Sequence, residues 1–410
     1  MTYAGDGKSL RMCYDLKMKT DDSQRLAKYY NMSANPQMKL FDVYPLFSIT
    51  PVKGEGSWIW DDQGRKYLDL YGGHAVISIG HTHPHYVRRI TEQLSQIAFY
   101  SNSVQNPLQQ QLADKLGQLS GYADYQLFLC NSGAEANENA LKVASFVTGR
   151  KRIIAFDKAF HGRTSGAVAV TDNPKIVSPF NAGHEVTFLP LNDEQALAAA
   201  LNESVAAVIV EGIQGVGGIR MPTDHFLEVL ERKCREVGAL LILDEIQSGY
   251  GRSGKFFAHQ HTSIRPDLIT MAKGMGNGFP VGGVLIRPDI KPWSGMLGTT
   301  FGGNYLAAVA CLAVLEVMER EHLIENAELV GAHLFTELAK IPNVLNLRGR
   351  GLMIGFDLPA EKNAVRNSLL FEHGIFTGEA KPNTIRLLPS LALTKNESDI
   401  FLKSLKETLA

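Results

Sequence analysis

From about residue 125 to about residue 310, short apolar runs alternate with segments of helical period, and this alternation constrains the fold more than any other feature of the chain. The runs are residues 126–129, 152–156, 206–210, 240–243, 268–271 and 282–286. Most are apolar throughout, the pattern of a strand covered on both faces. Between them, residues 134–147, 193–201, 224–237 and 305–319 place apolar side chains three and four apart, as helices lying on a sheet do. The pattern predicts an α/β fold built on a mainly parallel sheet. Asp193 and Asp224 stand where helix N-caps are expected.

Outside this block, residues 57–70 read as a hairpin, with Trp58, Trp60, Tyr67 and Leu68 around the turn Asp62-Gln63-Gly64. Residues 325–340 read as a helix. With 410 residues the chain is long enough for two domains. The expected division is a large domain over residues 88–310 and a smaller one combining residues 38–87 with 311–410. Residues 1–37 mix both charges and lack an apolar stretch, so they read as a loosely ordered leader, neither signal nor transit peptide.

A net charge of −1 gives the chain no long-range field for nucleic acid or an anionic membrane, which leaves small molecules and copies of itself as expected partners. No apolar run approaches the roughly 18 residues needed to cross a bilayer. The four cysteines, Cys13, Cys130, Cys234 and Cys311, are far apart and form no C-x-x-C pair. A soluble protein of the reducing cytoplasm is expected.

Parallel α/β sheets carry their sites at the carboxyl ends of strands, so the polar residues closing each run are the chemical candidates. QLFLCNSGAEAN ends in Ser132-Gly133-Ala134 at a helix start, where free N–H groups and the positive dipole end suit a phosphate; a plain N-cap is the alternative. LITMAKGMGNG ends in Lys273, whose amine, desolvated at a strand end, becomes nucleophilic toward a carbonyl. LLILDEIQSG ends in Asp244, a costly buried anion unless a cation or protonated heterocycle faces it. An aldehyde for a lysine, a ring nitrogen for a carboxylate and a phosphate for a helix start together describe pyridoxal 5′-phosphate. The glycines after Lys273 lack the dinucleotide spacing, which disfavours a nicotinamide enzyme.

These strings, with GHTHP (80–84), NSGAEAN (131–137), AFHGRT (159–164), LDEIQSGYGRSG (243–254), AKG (272–274), TTFGGN (299–304) and IRLLPSL (385–391), resemble the class III, ω-amino group of pyridoxal-phosphate aminotransferases from about residue 40 to residue 410. The resemblance implies PLP fold type I, the aspartate-aminotransferase type: a large domain with a mainly parallel seven-stranded sheet plus a smaller α+β domain. It implies that Lys273 holds the cofactor and shuttles the proton, and that Asp244 keeps the ring nitrogen protonated. Gln247 would bond the phenolic oxygen, Phe160 would stack on the ring, and Ser132, Gly133 and Ala134 would hold the phosphate. Thr300 would reach the phosphate of the neighbouring subunit, so a homodimer with shared active sites is implied.

By the same resemblance Arg163 would bind the α-carboxylate of an ornithine derivative, and Arg386 that of glutamate or 2-oxoglutarate; a structural salt bridge is the alternative for each. The implied reaction moves the terminal amine of an N2-acylornithine, acetyl or succinyl, to 2-oxoglutarate, as in arginine biosynthesis. Ornithine, 4-aminobutyrate and other ω-amine aminotransferases, glutamate-1-semialdehyde aminomutase and a cofactor-binding protein without turnover are the competitors. One departure bears on substrate: VEGIQGVGG (210–218) has Val216 where the family string VEPIQGEGG carries a glutamate that masks the second arginine. An unmasked Arg386 would favour a succinyl over an acetyl chain. His74 stands where relatives have tyrosine or an aliphatic residue, and is either a substrate contact or a packed histidine. His81 and His83 belong to the GHTHP string, and no metal is expected.

Overall fold

The apolar runs form six strands of a seven-stranded sheet in the computed structural model, which describes residues 39–410. The expected leader, residues 1–37, lies outside the described residues, as does Cys13. In spatial order the strands are Gln126–Cys130, Gly282–Ile286, Leu268–Met271, Leu240–Asp244, Val205–Glu211, Arg152–Phe156 and Val186–Leu189. Neighbours are parallel except around Gly282–Ile286, which runs antiparallel to both strands beside it. Every residue of Val205–Glu211 and Leu240–Asp244 is buried, as two-sided helix cover requires. Val186–Leu189 was not among the expected runs. It is a four-residue edge strand, mostly half-buried and interrupted by Thr187, too short and mixed for its pattern to stand out.

The helices Gly133–Thr148, Glu194–Ala200, Asp224–Val237 and Tyr305–Arg320 fall where the apolar spacing places them. Phe156 from the sheet meets Phe226 from a covering helix edge to face at 5.6 Å, one of the contacts that close the core. Asp193 caps its helix by accepting from the Ala196 amide at 2.9 Å. The expected cap at Asp224 is corrected to Thr223, whose hydroxyl accepts from the Phe226 amide at 3.1 Å. Thr223 has the extended backbone of a cap residue, whereas Asp224 lies inside the first turn and pairs with Arg350 at 2.8 Å.

The hairpin pairs Trp58–Asp61 with Lys66–Asp69, and Asp61 fixes its turn by accepting from the Gln63 and Arg65 amides. Pro51–Glu55 adds to one side, and Ile375–Phe376, far along the chain, adds parallel to Lys66–Asp69 on the other. A third sheet orders Leu345–Arg350, Met353–Asp357, Thr384–Leu387 and Gly378–Ala380. His81 pairs with Asp69 at 2.9 Å, while His83 caps Pro84–Leu94 and pairs with Glu321 at 3.1 Å. Residues 49–410 make one compact unit; residues 39–48, an extended stretch with exposed side chains, belong to a separate one. Among the described residues no helix is long and apolar enough to cross a membrane.

The corrected cap is testable. Thr223→Ala should lower stability by about 1 kcal/mol, whereas Asp224→Ala, which removes a part-exposed ion pair, should change it by less than about 0.5 kcal/mol. Urea denaturation midpoints of the two variants check the order.

Candidate active site

Two neighbouring parallel strands end in carboxylates at paired positions, Glu211 beside Asp244, and the turns leaving the sheet at this edge surround a cavity of about 430 Å³. Of the residues singled out in the sequence, Ser132, Gly133, Ala134, Phe160, Arg163, Asp244, Gln247 and Lys273 line it together. Asp244, only 4% exposed, accepts at Oδ2 from His161 Nδ1 (2.7 Å) and Asn137 Nδ2 (2.8 Å), and at Oδ1 from the Ile246 amide (3.0 Å). Asn137 is itself oriented, because its Oδ1 accepts from the Thr270 hydroxyl at 2.7 Å. His161 keeps its Nε2 buried without a partner among the described residues.

Lys273 follows Leu268–Met271 with a left-handed backbone, φ 46°, which turns its side chain out of the strand direction. Among the described residues nothing accepts a hydrogen bond from its Nζ. Burial pushes its amine below the ordinary lysine range, against the pull of Asp244 and Glu211. Glu211 accepts from the Phe160 amide at 3.1 Å and the Gly215 amide at 2.9 Å. Desolvation, with Asp244 adding to it, pushes its carboxyl up to about 7, although His161 and the two amides oppose the shift.

Ser132 caps Gly133–Thr148 by accepting from the Glu135 amide at 3.2 Å. The Gly133 and Ala134 amides have no acceptor among the described residues, so the helix start is both capped and open. Gly162, at φ 140°, packs so close that a Cβ would come within 2.8 Å of the Ala134 methyl, which lets the loop carrying Phe160 lie over that helix start. Gln247 donates from Nε2 to the His74 carbonyl at 3.1 Å and leaves Oε1 buried with no partner among the described residues. Arg163 is exposed at the cavity with no hydrogen bond or ion pair among the described residues, so the salt-bridge alternative for it is not what the structure shows.

Arg386, His74 and Thr300 are not part of this lining. Arg386, 5% exposed, donates from Nε to the Glu379 carbonyl (2.8 Å) and from Nη1 to the Gly215 carbonyl (2.9 Å). Its partners are thus backbone oxygens instead of a carboxylate, and Val216, half exposed on the cavity wall, adds no charge. His74 is an exposed residue whose ring pairs with the Tyr71 hydroxyl; lost hydration, Arg386 and Lys273 all push its ring below the ordinary histidine range. Thr300 is exposed, between Thr299 and Gly302 of a second cavity of about 970 Å³.

The sequence reading assigned no role to Asn137, His161 or Glu211. Glu211 closes the run 206–210 as Asp244 closes 240–243, so the rule that found one carboxylate would have found the other. Asn137 and His161 carry no such signal, since their contact with Asp244 spans 107 and 83 residues.

Comparison with known proteins agrees with this geometry. Residues 42–409 match the sequence profile of the family described as Aminotransferase class-III. An acetylornithine aminotransferase of Archaeoglobus fulgidus is 41% identical over 363 residues, 88% of this chain and 95% of that protein. A [LysW]-aminoadipate semialdehyde/glutamate semialdehyde transaminase of Sulfolobus acidocaldarius is 40% identical over 379 residues, 91% and 97% of the two chains. The crystal structure of the ornithine aminotransferase from Toxoplasma gondii superposes with a TM-score of 0.82 at 28% identity, covering 96% of each chain, and this fold is PLP fold type I. With strand-end carboxylates, an unpartnered lysine and an open helix start around one cavity, and with that match over most of its length, the chain belongs to the class-III aminotransferases, PLP-dependent transaminases that take an amine donor and a keto acid.

Proposed function

We propose that this aminotransferase moves the terminal amine of an N2-acylornithine to 2-oxoglutarate, giving the acylglutamate semialdehyde and glutamate, as a homodimer of the reducing cytoplasm. The observation that carries the reading is a guanidinium, Arg163, on the same cavity as the Lys273 amine, both without a partner among the described residues. A carboxylate held by Arg163 sets a flexible amine tail toward Lys273, and the 41% identical relative bears the name acetylornithine aminotransferase.

The residues present fit pyridoxal 5′-phosphate. The Gly133 and Ala134 amides, with Ser132, would hold its phosphate. Asp244 would face its ring nitrogen, Phe160 would lie on its ring, and Gln247, with Oε1 buried and unpaired, would meet its phenolic oxygen. When bound, the cofactor supplies an aldehyde for the amine and a ring that stores the electron pair released at the substrate carbon. Lys273 would anchor it and then carry the proton on Nζ, a task its lowered proton affinity suits. His161 and Asn137 hold Asp244 in place, so its charge is directed to one position in the cavity instead of relaxing toward solvent.

Arg386 would take the carboxylate of the keto acid. With two of its donors on backbone carbonyls and no glutamate at position 216, its guanidinium has no carboxylate partner among the described residues, which would favour a succinyl chain on the donor. Thr300 of one protomer would reach the phosphate site of its partner; the exposed ring pair Phe99–Phe301 beside it, centroids 5.4 Å apart, is the kind of surface a dimer covers. Three buried free cysteines, Cys130, Cys234 and Cys311, support the reducing compartment.

Three measurements check this reading. Lys273→Ala should fold normally by far-UV circular dichroism yet lose at least about a hundredfold in kcat; retained turnover would reject the assignment. Across acetylornithine, succinylornithine, ornithine and 4-aminobutyrate, each read as glutamate formed with 2-oxoglutarate, the acylated donors should lead, with succinyl ahead of acetyl in kcat/KM. Thr300→Ala should weaken cofactor binding by about tenfold, the scale of one lost bond to a charged group, while sedimentation still reports a dimer.

A further inference from the structure

Glu211 is a buried carboxylate, 6% exposed, that no part of the proposed reaction uses. Among the described residues it forms no ion pair, and a buried carboxyl of that kind is tolerated only where fixed donors replace water. Both donors are backbone amides, one on each of two separate turns. Oε1 accepts from Phe160 in the loop after Arg152–Phe156, and Oε2 accepts from Gly215 in the bend after its own strand, Val205–Glu211.

Each turn carries a different part of the site. Phe160 lines the cavity. Gly215 offers its carbonyl to Arg386 Nη1 at 2.9 Å, and its Cα lies so close to the Gln247 amide that an added Cβ would overlap it. One side chain therefore fastens the aromatic wall and the mount of the inner arginine to the same strand end, in register with Asp244. A carboxyl group suits this task because, charged or protonated, it can offer an oxygen acceptor to each of the two N–H groups; an amide in its place would turn a donor toward one of them.

We propose that Glu211 is a positioning residue, which through the Phe160 and Gly215 amides sets the aromatic wall of the cavity and the orientation of Arg386 together. The inference rests on the roles proposed above for those two side chains. It assigns Glu211 no contact with substrate and no proton transfer. Its consequence is unequal: the keto-acid half-reaction, which uses Arg386, depends on Glu211 more than the donor half-reaction, which uses the exposed Arg163.

The test compares wild type, Glu211→Gln and Glu211→Asp as holoenzymes, with each half-reaction followed separately. Glu211→Gln should raise KM for 2-oxoglutarate by about tenfold, the scale of one broken bond to a charged acceptor, and raise KM for the acylornithine by less than about threefold. The visible circular dichroism of the bound cofactor, which reports the asymmetry of its surroundings without turnover, should change shape. Glu211→Asp keeps the carboxyl group but shortens the reach, and should show the same direction at smaller size; if Glu211→Gln does not fold, this variant decides alone. Equal loss in both half-reactions with an unchanged dichroism spectrum would reduce Glu211 to a structural clamp and overturn the proposal, as would wild-type KM values. Should wild type itself form no glutamate, the functional reading fails, and the dichroism comparison still decides whether Glu211 shapes the cofactor site.

Discussion

The bond on which the site depends is the one between His161 and Asp244, 2.7 Å long and shielded from solvent. A carboxylate at the end of an apolar strand loses most of its hydration, and fixed donors must replace it. His161, Asn137 and the Ile246 amide supply those donors from a loop, a helix and the turn that follows. Asp244 is thereby both anchored and aimed, and the elements bearing its partners are drawn to one point. The Ser132 helix start and the Phe160 loop arrive with them, because Asn137 and His161 lie on those same elements.

The sheet repeats the arrangement one strand over. Glu211 stands in register with Asp244, and its donors are amides of the loop after the neighbouring strand and of the bend after its own. Two adjacent carboxylates at a sheet edge repel each other, and each is stabilised by a different set of neighbours: an imidazole and a side-chain amide for one, two main-chain amides for the other. The difference in donors separates what the two can do. Asp244 is directed into the cavity, whereas Glu211 is occupied by the loops, and the cavity between them takes its shape from both.

Much of this was legible in the sequence for a local reason. A strand buried on both faces must be apolar along its length, so six of the seven strands announce themselves, and the polar residue that stops each parallel run lies at the active edge; Lys273, Asp244 and Ser132 are all found that way. What escaped was short, mixed or distant. Val186–Leu189, at the sheet edge, needs only partial burial and so carries a weak pattern. Thr223 escaped as a cap because the acidic residue after it was the more conspicuous candidate, although the choice between them depends on backbone dihedrals. The reversed direction of Gly282–Ile286 has no signature within its own five residues.

The sequence by itself determined the fold class, the family and the chemical types available, since those rest on hydrophobic periodicity and on residues adjacent along the chain. Only the tertiary structure decided which of those residues share a cavity, that Arg163 has no partner among the described residues, and that Arg386 is held by carbonyls. It also decided that Glu211 ties two loops to one strand end. The physical reason is range: the Glu211 bond to Phe160 spans 51 residues and the Arg386 bond to Gly215 spans 171, and contacts of that separation are set by how the strands stack and not by the pattern of any one segment.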